Sequence, residues 1–577
     1  MAGESKTTGY KLPVDPAAKQ GTVAQGFVTP KQDRTPQVLS IPPRRVLPII
    51  FIPGIMGSNL RLSADRQREL GIDNNIAWRP DHAAVSASGY NDSPIERQRR
   101  LDPMATEVDI YDPAGNATGD VDETADERNE EVNPKSLSMG YGRLASGPVI
   151  KDDPYGAKER KSAAQKARAR GWGEVYYGSY KAVLSLCEEV LNASFLYQRL
   201  DPWVERYIVT KAPSEWEAHT APALAPLGED LTREALKGCF FPVHAMGYNW
   251  LKGNGESGTV IAGRIDALMK RYQTDGYQCE KVILVTHSMG GLVARAVIHP
   301  KFGGFNDKVL GIVHGVMPAI GAAAAYRRVR CGFEGSGIVV GVVGAYGFHV
   351  TPVLGNAQGG LELLPSCDYG RNWLKVRANG NTLMSLPARG DPYEEIYKVR
   401  GKWYNLLREE WINPANADGP GFRRTCALLD RARDFHVAIS ATYHDQSYAT
   451  YGADPERKAW HSVTWEIDKA ARIGSVDALT IAEDNAQGVM FLVDPTLPVA
   501  EGKQAPRFTA TLLAPSDPGD QTVPMFSADA QLRHGKFKGI FRQSGYEHQD
   551  SYKDDKVIRA TLYSLIRIAS TMTWSKP

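Results

Sequence analysis

The chain has 577 residues, more than one hydrophobic core usually supports, which predicts one large fold with insertions or two to three domains. With 42% hydrophobic and 23% charged residues, the composition excludes a disordered chain and an integral membrane bundle. A formal net charge of +2 is too small for a surface that follows phosphates, so we expect no nucleic acid partner.

The amino-terminal region, residues 1–45, is polar and contains prolines without a regular apolar period, which predicts a tail or a wrapping arm. It contains no apolar segment of the kind found in a secretory signal, so we expect synthesis in the cytoplasm and, for a protein that leaves its cell, another export route.

Six scattered cysteines without a Cys-x-x-Cys motif predict neither a zinc site nor a dense disulfide framework. No nucleotide-binding glycine loop or carboxylate cluster occurs, and we predict no metal ion and no cofactor.

The segment VLPIIFIPGIMGSNL (46–60) is an apolar run bounded by proline and glycine, which predicts a strand buried on both faces. From about 60 to 170 the sequence becomes polar and charged, as in VDETADERNEEVNPK, and we interpret this range as a surface insertion. Its basic end, KERKSAAQKARAR, is either a membrane-binding helix or a solvated one. The second interpretation is favoured because its apolar face would consist only of alanines.

Helical and strand-like patterns alternate over the next part of the chain, which predicts a parallel sheet covered by helices. The patterns, in chain order, are a helix with Tyr180, Leu184, Cys187 and Leu191 on one face, a strand in FFPVHAMGYNW (240–250), a helix with Ile261, Ile265, Leu268 and Tyr272, a strand, sharp turn and helix in KVILVTHSMGGLVARAV (281–297), and a strand and helix start in KVLGIVHGVMPAIGAAAAY (308–326).

The alternation then ends in a segment from Gly335 to Gly360 that contains no Asp, Glu, Lys or Arg. A membrane-spanning helix needs about 20 apolar residues, and glycines, His349 and Pro352 interrupt this one. We predict a lid over an apolar pocket, which its glycines would allow to open; the alternative is a buried core hairpin. Residues 361 to about 500 contain helical pieces, such as KWYNLLREEW and ALLDRARDFHVAI, and are assigned to the same cap.

Strand-like and helical patterns resume near the carboxyl terminus, where RFTATLLA (507–514) is predicted to return the chain to the main sheet. GKFKGIFRQSGYEHQD then predicts a strand and a loop, and DKVIRATLYSLIRIA predicts the closing helix. The chain is therefore divided into a tail (1–45), a first core part (46–325, with the insertion at about 60–170), a cap or lid domain (326–500) and a second core part (501–577).

The turn THSMGG places Ser288 between a predicted strand and a predicted helix, which is the position of the nucleophile in many serine hydrolases. Gly290 and Gly291 would let the strand and helix pack closely. Thr286 stands where the usual G-x-S-x-G motif has its first glycine. A serine beside glycines is often only a turn, but its location after an apolar strand and before an amphipathic helix favours the functional interpretation.

A serine hydrolase also needs donors for the developing oxyanion. The turn PGIMGS (53–58) follows the first predicted strand, where hydrolases of this type keep the loop that supplies one such donor. The candidate donors are the backbone amides of Ile55 and Met289. An ordinary glycine turn is the alternative for PGIMGS considered by itself.

An acid and a histidine follow the serine in the order expected of an α/β-hydrolase. Asp520, in GDQTVP, would orient the imidazole of His548, in GYEHQD, which would take the proton from Ser288. Asp517 is the competing acid. His287 adjoins the serine, but on a sharp turn we expect it to point elsewhere and to act as a packing residue.

Four motifs together resemble those of α/β-hydrolase lipases related to lecithin:cholesterol acyltransferase and to GPI-inositol deacylases: VTHSMGGLVAR, PGIMGS, GDQTVP and GGLELLPS (359–366). VHGVMPAIGAAAAYRR and the amino terminus without a signal resemble more closely the phospholipase effectors of bacterial type VI secretion systems. The insertion and most of the cap match only in general character. The resemblance implies delivery by a spike protein to the periplasm of a target cell or to host membranes, cleavage of bilayer phospholipids there, and neutralisation by a dedicated immunity protein.

We therefore predict an α/β-hydrolase fold, with a mostly parallel central sheet flanked by helices and an inserted cap. The expected activity is that of a serine lipase on phospholipid membranes, of the phospholipase A type, which forms an acyl-enzyme. An acyltransferase would use the same residues, and an esterase for soluble esters would not be activated at lipid surfaces. A binding module on an inactive hydrolase fold is disfavoured, because all three residue types of the triad occur in the proper order.

Overall fold

The structure is a computed structural model that describes most of the chain. The described residues are 14–17, 21–27, 36–41, 43–81, 92–110, 163–196, 199–335, 338–468, 473–498 and 505–575. The acidic segment of the predicted insertion, VDETADERNEEVNPK, lies outside the described residues, as does the beginning of its basic end.

Six parallel strands form the central sheet. Their order across the sheet is Val243–Ala245, Ile49–Ile52, Val282–His287, Val309–Gly315, Ser447–Gly452 and Phe537–Gln543. Every strand predicted for the core between 46 and 326 is present, and the predicted α/β class with a parallel sheet is confirmed.

Both faces of the central sheet are buried at the strands Ile49–Ile52, Val282–His287 and Val309–Gly315, which explains their mainly apolar sequences. Ile50 and Leu284 are on the face that packs against the helices Asn254–Thr274 and Gly290–Ile298. Ile283 is on the opposite face, in a cluster that includes the helices Tyr177–Ala193 and Asp555–Ala569. The predicted amphipathic helices are therefore confirmed, and they cover the two faces of one sheet.

The strand Ile49–Ile52 is the first of these six in the chain, but it lies between Val243–Ala245 and Val282–His287 in the sheet. From Ile49–Ile52 the chain first continues to the strand on one side, Val243–Ala245, and then adds Val282–His287 on the other side. In open α/β sheets, such a reversal of strand order leaves a crevice beyond the carboxyl ends of the strands. Ser288 and the turn PGIMGS follow two of these strands directly. The topology thus places both segments at the edge where ligands of open α/β sheets bind.

A second sheet of six strands lies mostly within the range predicted as the cap. Its order is Asn381–Leu386, Leu374–Ala378, Val463–Ile467, Arg507–Leu512, Val489–Val493 and Thr480–Asp484. Of its strand pairs, the one between Leu374–Ala378 and Val463–Ile467 is parallel and the others are antiparallel. The prediction that RFTATLLA returns the chain to the main sheet is wrong, because this strand pairs with two cap strands instead.

The assignment of all of 361–500 to the cap differs from the structure at one strand. Ser447–Gly452 is inside that range, but it pairs with Val309–Gly315 and Phe537–Gln543 in the central sheet. Its sequence, SYATYG, is fully buried although it contains no aliphatic residue larger than alanine, so it lacks the apolar run by which the other core strands were predicted. The boundaries of the proposed domains stay a prediction.

Short helices form the segment predicted as a lid: Ile338–Val343, Gly347–Leu354 and Gln358–Leu361. The alternative of a core hairpin is therefore wrong. Arg97, from the helix Pro94–Arg100, donates a hydrogen bond of 2.7 Å to the carbonyl oxygen of Val342 and ties the first of these helices to the insertion. Further α-helices in or next to the predicted cap are Ala323–Cys331, Glu409–Ile412 and Phe422–Ile439, and the last confirms the helix predicted from ALLDRARDFHVAI.

The amino-terminal region has more regular structure than its sequence predicts. Val14–Ala17, Gly21–Phe27 and Pro36–Ile41 form an antiparallel sheet, and the first of these strands lies against the helix Tyr177–Ala193. These strands contain few alternating apolar residues, which explains why a tail was predicted.

The insertion is also more ordered and more buried than predicted. Its described part contains a three-stranded sheet of Leu60–Leu62, Ile76–Trp78 and Thr106–Val108. The basic helix Ala163–Ala169 is not fully solvated, because Ala167 is completely buried and Arg168 is 7% exposed.

None of the helices in the described parts of the chain has the length and apolar character needed to cross a membrane.

Candidate active site

Ser288 occupies a sharp turn between the strand Val282–His287 and the helix Gly290–Ile298. Its φ of 52° is in the left-handed region, which residues other than glycine rarely adopt. Its backbone amide donates a 2.8 Å hydrogen bond to the carbonyl oxygen of Gly315 at the end of the neighbouring strand. The hydrogen bond to the neighbouring strand stabilises this strained backbone conformation, which is typical of the nucleophile turn of α/β-hydrolases.

The residues around the turn explain the departures from the usual motif. Thr286 is fully buried, and its hydroxyl lies 3.5 Å from the carbonyl oxygen of Val313, so a small polar side chain fits where glycine is usual. A side chain at Gly290 would not fit. Its Cβ would lie 2.4 Å from the carbonyl oxygen of Ile52 and 2.5 Å from that of Pro53.

Replacing Gly290 with alanine is therefore expected to lower the free energy of unfolding by about 1–3 kcal/mol, because the clash is with backbone atoms that cannot rotate away. Gly263→Ala is the matched control. Gly263 is also in a helix, but a Cβ there would meet no atom within 4 Å, so the change should be neutral or slightly stabilising. Denaturant unfolding of both variants measures the difference, and equal stabilities would contradict the proposed close contact.

The structure brings the predicted histidine and acid next to the serine. His548 Nε2 lies 2.8 Å from Ser288 Oγ, and His548 Nδ1 lies 2.8 Å from Asp520 Oδ2. Because a carboxylate only accepts hydrogen bonds, Nδ1 carries the proton in the neutral imidazole. The lone pair on Nε2 then faces the serine hydroxyl, as a general base requires.

Asp520 is fixed by its own surroundings and is only 1% exposed. Its Oδ1 accepts hydrogen bonds from the backbone amides of Thr522, at 3.1 Å, and Val523, at 2.7 Å. These two donors hold the carboxylate in place and leave Oδ2 for His548. Asp517, the competing acid, instead lies 3.8 Å from His461 and is about one-third exposed.

The turn PGIMGS packs directly against the serine. A Cβ on Gly54 would lie 2.8 Å from His287 Nδ1 and 3.0 Å from Ser288 Cβ, so only a glycine allows this approach. Ile55 follows Gly54, and Met289 follows Ser288. Within the described parts of the chain, the amides of Ile55 and Met289 donate to no protein acceptor, which leaves both free for an oxyanion.

These residues border a cavity of about 940 Å³. Its volume is near the upper end of the range of about 300–1,000 Å³ that is usual for small-molecule sites. Ser288 and His548 are part of its lining. Much of the remaining wall is apolar, and the predicted cap supplies part of it. The main apolar lining residues are Ile55, Trp78, Val329, Val340, Val342, Val343, Leu354, Leu363 and Trp460.

His287 differs from its prediction in one respect. It is buried, as expected of a packing residue, but its ring lies 5.2 Å from that of His548 and contributes to the lining of the cavity. Both ring nitrogens have partners, Tyr180 and the backbone of His548. A buried imidazole needs such partners, because unsatisfied polar atoms inside a protein cost free energy.

Sequence reasoning missed several residues of the site. The helical spacing predicts that Tyr180 is a core residue, but nothing in it indicates that the hydroxyl bonds to His287, 107 positions away. Trp78 and Trp460, from the insertion and the cap, were not singled out either. Single aromatic residues in irregular sequence carry no signal of which cavity they line.

No protein-family model and no curated protein matches this sequence. Among solved structures, the chain is similar to one described as "The crystal structure of Tle4-Tli4 complex". The TM-score is 0.71 and the sequence identity 30%, over 92% of this chain and 99% of that chain. The chain therefore belongs to the family of type VI secretion system lipase effectors that includes Tle4.

Proposed function

We propose that the protein is a serine lipase that hydrolyses carboxyl esters of membrane phospholipids, of the phospholipase A type. The observation that carries the proposal is the hydrogen-bonded series from Ser288 through His548 to Asp520 beside a large and mostly apolar cavity. Family membership supports a lipase effector, and the triad roles and the type of ester are the further steps proposed here.

In this mechanism His548 takes the proton from Ser288 as the serine oxygen attacks the ester carbonyl carbon. The amides of Ile55 and Met289 donate to the oxyanion that forms, and such donors are each worth about 10²–10³-fold in rate. His548 then passes its proton to the departing alcohol, which leaves the acyl group on Ser288. Attack by water, with His548 again as base, releases the fatty acid and restores the serine.

The cavity suits a long acyl chain, since each methylene transferred from water to an apolar wall contributes about 0.8 kcal/mol. The first lid helix, Ile338–Val343, supplies part of that wall. The proposed cap, within 326–500 apart from the central strand Ser447–Gly452, would thus cover the acyl chain and exclude water during the reaction.

Mass spectrometry of the products formed from mixed phospholipid vesicles tests the proposal. We expect free fatty acid and lysophospholipid with the wild-type protein and neither with Ser288→Ala. Transfer of the acyl group to an added alcohol in preference to water would identify an acyltransferase instead. Turnover of short soluble esters without any turnover of vesicles would identify a soluble esterase, and both outcomes would overturn the phospholipase assignment.

Replacing Val343 with aspartate is expected to lower kcat/KM for long-chain phospholipids by about tenfold and to leave short-chain esters nearly unaffected. The reason is that a carboxylate beside the acyl chain loses its hydration when the chain binds. Val437→Asp is the matched control, because Val437 is on a cap helix, is 66% exposed and is not part of the cavity lining. Chain-length profiles measure the effect, and equal losses for both classes of ester would contradict the proposed acyl site.

The proposal extends to the partners of the protein. In the similar structure, Tle4 is in complex with Tli4, and by this likeness a cognate immunity protein binds the present chain. A type VI spike protein would deliver it to the target-cell periplasm or to host cell membranes. Co-purification with the product of a neighbouring gene, together with loss of toxicity when the two are co-expressed, tests the immunity partner.

A further inference from the structure

His287, beside the candidate nucleophile, has a defined tautomer that follows from its neighbours. Its Nε2 lies 2.9 Å from the backbone carbonyl oxygen of His548 and its Nδ1 lies 3.0 Å from the hydroxyl of Tyr180. A carbonyl oxygen only accepts, so Nε2 carries the proton and Nδ1 accepts from the tyrosine. Burial lowers the pKa of His287 to about 3, so the ring is neutral at any pH near 7.

Tyr180, in the helix Tyr177–Ala193, extends this series of hydrogen bonds to the turn PGIMGS. Its hydroxyl oxygen accepts a 3.3 Å hydrogen bond from the backbone amide of Gly54. Tyr180 is completely buried and His287 is 1% exposed, so water does not replace these bonds. Burial also moves the pKa of the Tyr180 hydroxyl further above its ordinary value, which keeps its proton in place.

The donors and acceptors run in one direction, from Gly54 to Tyr180, from Tyr180 to His287, and from His287 to His548. The first residue precedes Ile55, whose amide is a proposed oxyanion donor, and the last is the proposed base. The backbone of His548 is fixed from two sides, because its amide also donates to the carbonyl oxygen of Asp520 at 3.0 Å. The series therefore joins two parts of the site that approach Ser288 from different elements.

We propose that Tyr180 and His287 are positioning residues, which hold the oxyanion turn and the base in a fixed relation to Ser288. The inference rests on the proposed function and concerns two residues to which that mechanism assigns no role. Neither residue takes part in proton transfer with the substrate. Their effect is on geometry, to which catalysis is sensitive, since a displacement of about 1 Å can cost about 10²-fold in rate.

Tyr180→Phe is the most direct test, because it removes one oxygen atom and retains the ring. With p-nitrophenyl butyrate as substrate, we expect kcat to fall about tenfold or more while KM changes less than about twofold, since binding does not use the hydroxyl. Tyr563→Phe is the matched control. Tyr563 is 1% exposed, and its hydroxyl donates a 2.9 Å hydrogen bond to Ala225, whose carbonyl is not part of the site.

Two further measurements separate positioning from general stability. His287→Gln retains an amide donor for the carbonyl of His548, so it should keep more of the wild-type kcat than His287→Leu does. The downfield proton resonance of His548 Nδ1–H should shift or broaden in Tyr180→Phe and remain in Tyr563→Phe. If His287→Leu does not fold, the two tyrosine variants decide the question by themselves.

Wild-type kcat in Tyr180→Phe, or equal losses in the two tyrosine variants, would overturn the inference. Its failure is distinguishable from failure of the proposed function. Full activity of Tyr180→Phe beside an inactive Ser288→Ala variant refutes only the positioning role, whereas turnover by Ser288→Ala refutes the proposed function itself.

Discussion

Ser288→Ala is expected to lower kcat for ester hydrolysis by about 10⁶-fold, the loss typical of a serine hydrolase without its nucleophile. The hydroxyl is the only part of the side chain that the substitution removes, and it is the group that would form the acyl-enzyme. The alanine Cβ occupies the same strained turn at the same φ of 52°, so the backbone conformation costs about the same in both proteins.

The free energy of unfolding should change by no more than about 1 kcal/mol, because the variant loses one hydrogen bond, that to His548. Ser551→Ala is the matched control. Ser551 is a second buried serine near His548, 1% exposed, and its hydroxyl has no hydrogen-bond partner among the described residues. Rate measurements and thermal melts of both variants make the comparison, and full activity of Ser288→Ala would exclude Ser288 as the nucleophile.

Asp520→Asn is expected to lower kcat by about 10³–10⁴-fold, and the structure gives a specific reason. The two backbone amides of Thr522 and Val523 require an oxygen at the position of Oδ1. The asparagine must therefore direct its NH₂ group toward His548 Nδ1. That group can only donate, so it would favour the imidazole tautomer with the proton on Nε2, which cannot accept the proton of Ser288.

Asp517→Asn is the control for this prediction and should keep nearly the wild-type rate. The Asp517 carboxylate contacts His461 and the hydroxyl of Ser516 rather than His548. Steady-state kinetics of the two variants, each checked for folding by circular dichroism, separate the candidates. A larger loss in Asp517→Asn than in Asp520→Asn would assign the acid to position 517.

The losses of kcat predicted for Ser288→Ala and Asp520→Asn concern the chemical step. By contrast, Val343→Asp tests substrate binding and Tyr180→Phe tests the geometry of the site. In the structure the helix Ile338–Val343 is part of the cavity wall and is tied to Arg97. A substitution in this helix therefore changes the cavity wall and leaves the residues of the candidate triad in place.

The sequence by itself determined the central elements of the fold and the three residues of the candidate triad. The strand, turn and helix around Ser288 are encoded locally, by an apolar run, a small-residue turn and a helical period. Asp520 and His548 were found because each follows a strand-like segment in the order typical of α/β-hydrolases. Local patterns of this kind are readable because short-range backbone geometry produces them.

Only the tertiary structure decided which sheet a strand joins and which distant side chains meet. RFTATLLA is a strand as predicted, but an alternating pattern does not specify its partners, and the structure pairs it within the cap. Ser447–Gly452 is polar in sequence and central in the fold. The bond between Tyr180 and His287 exists because a helix packs against the sheet at one particular position, and no local pattern records that position. Such contacts depend on how complete elements pack, a property of the whole chain.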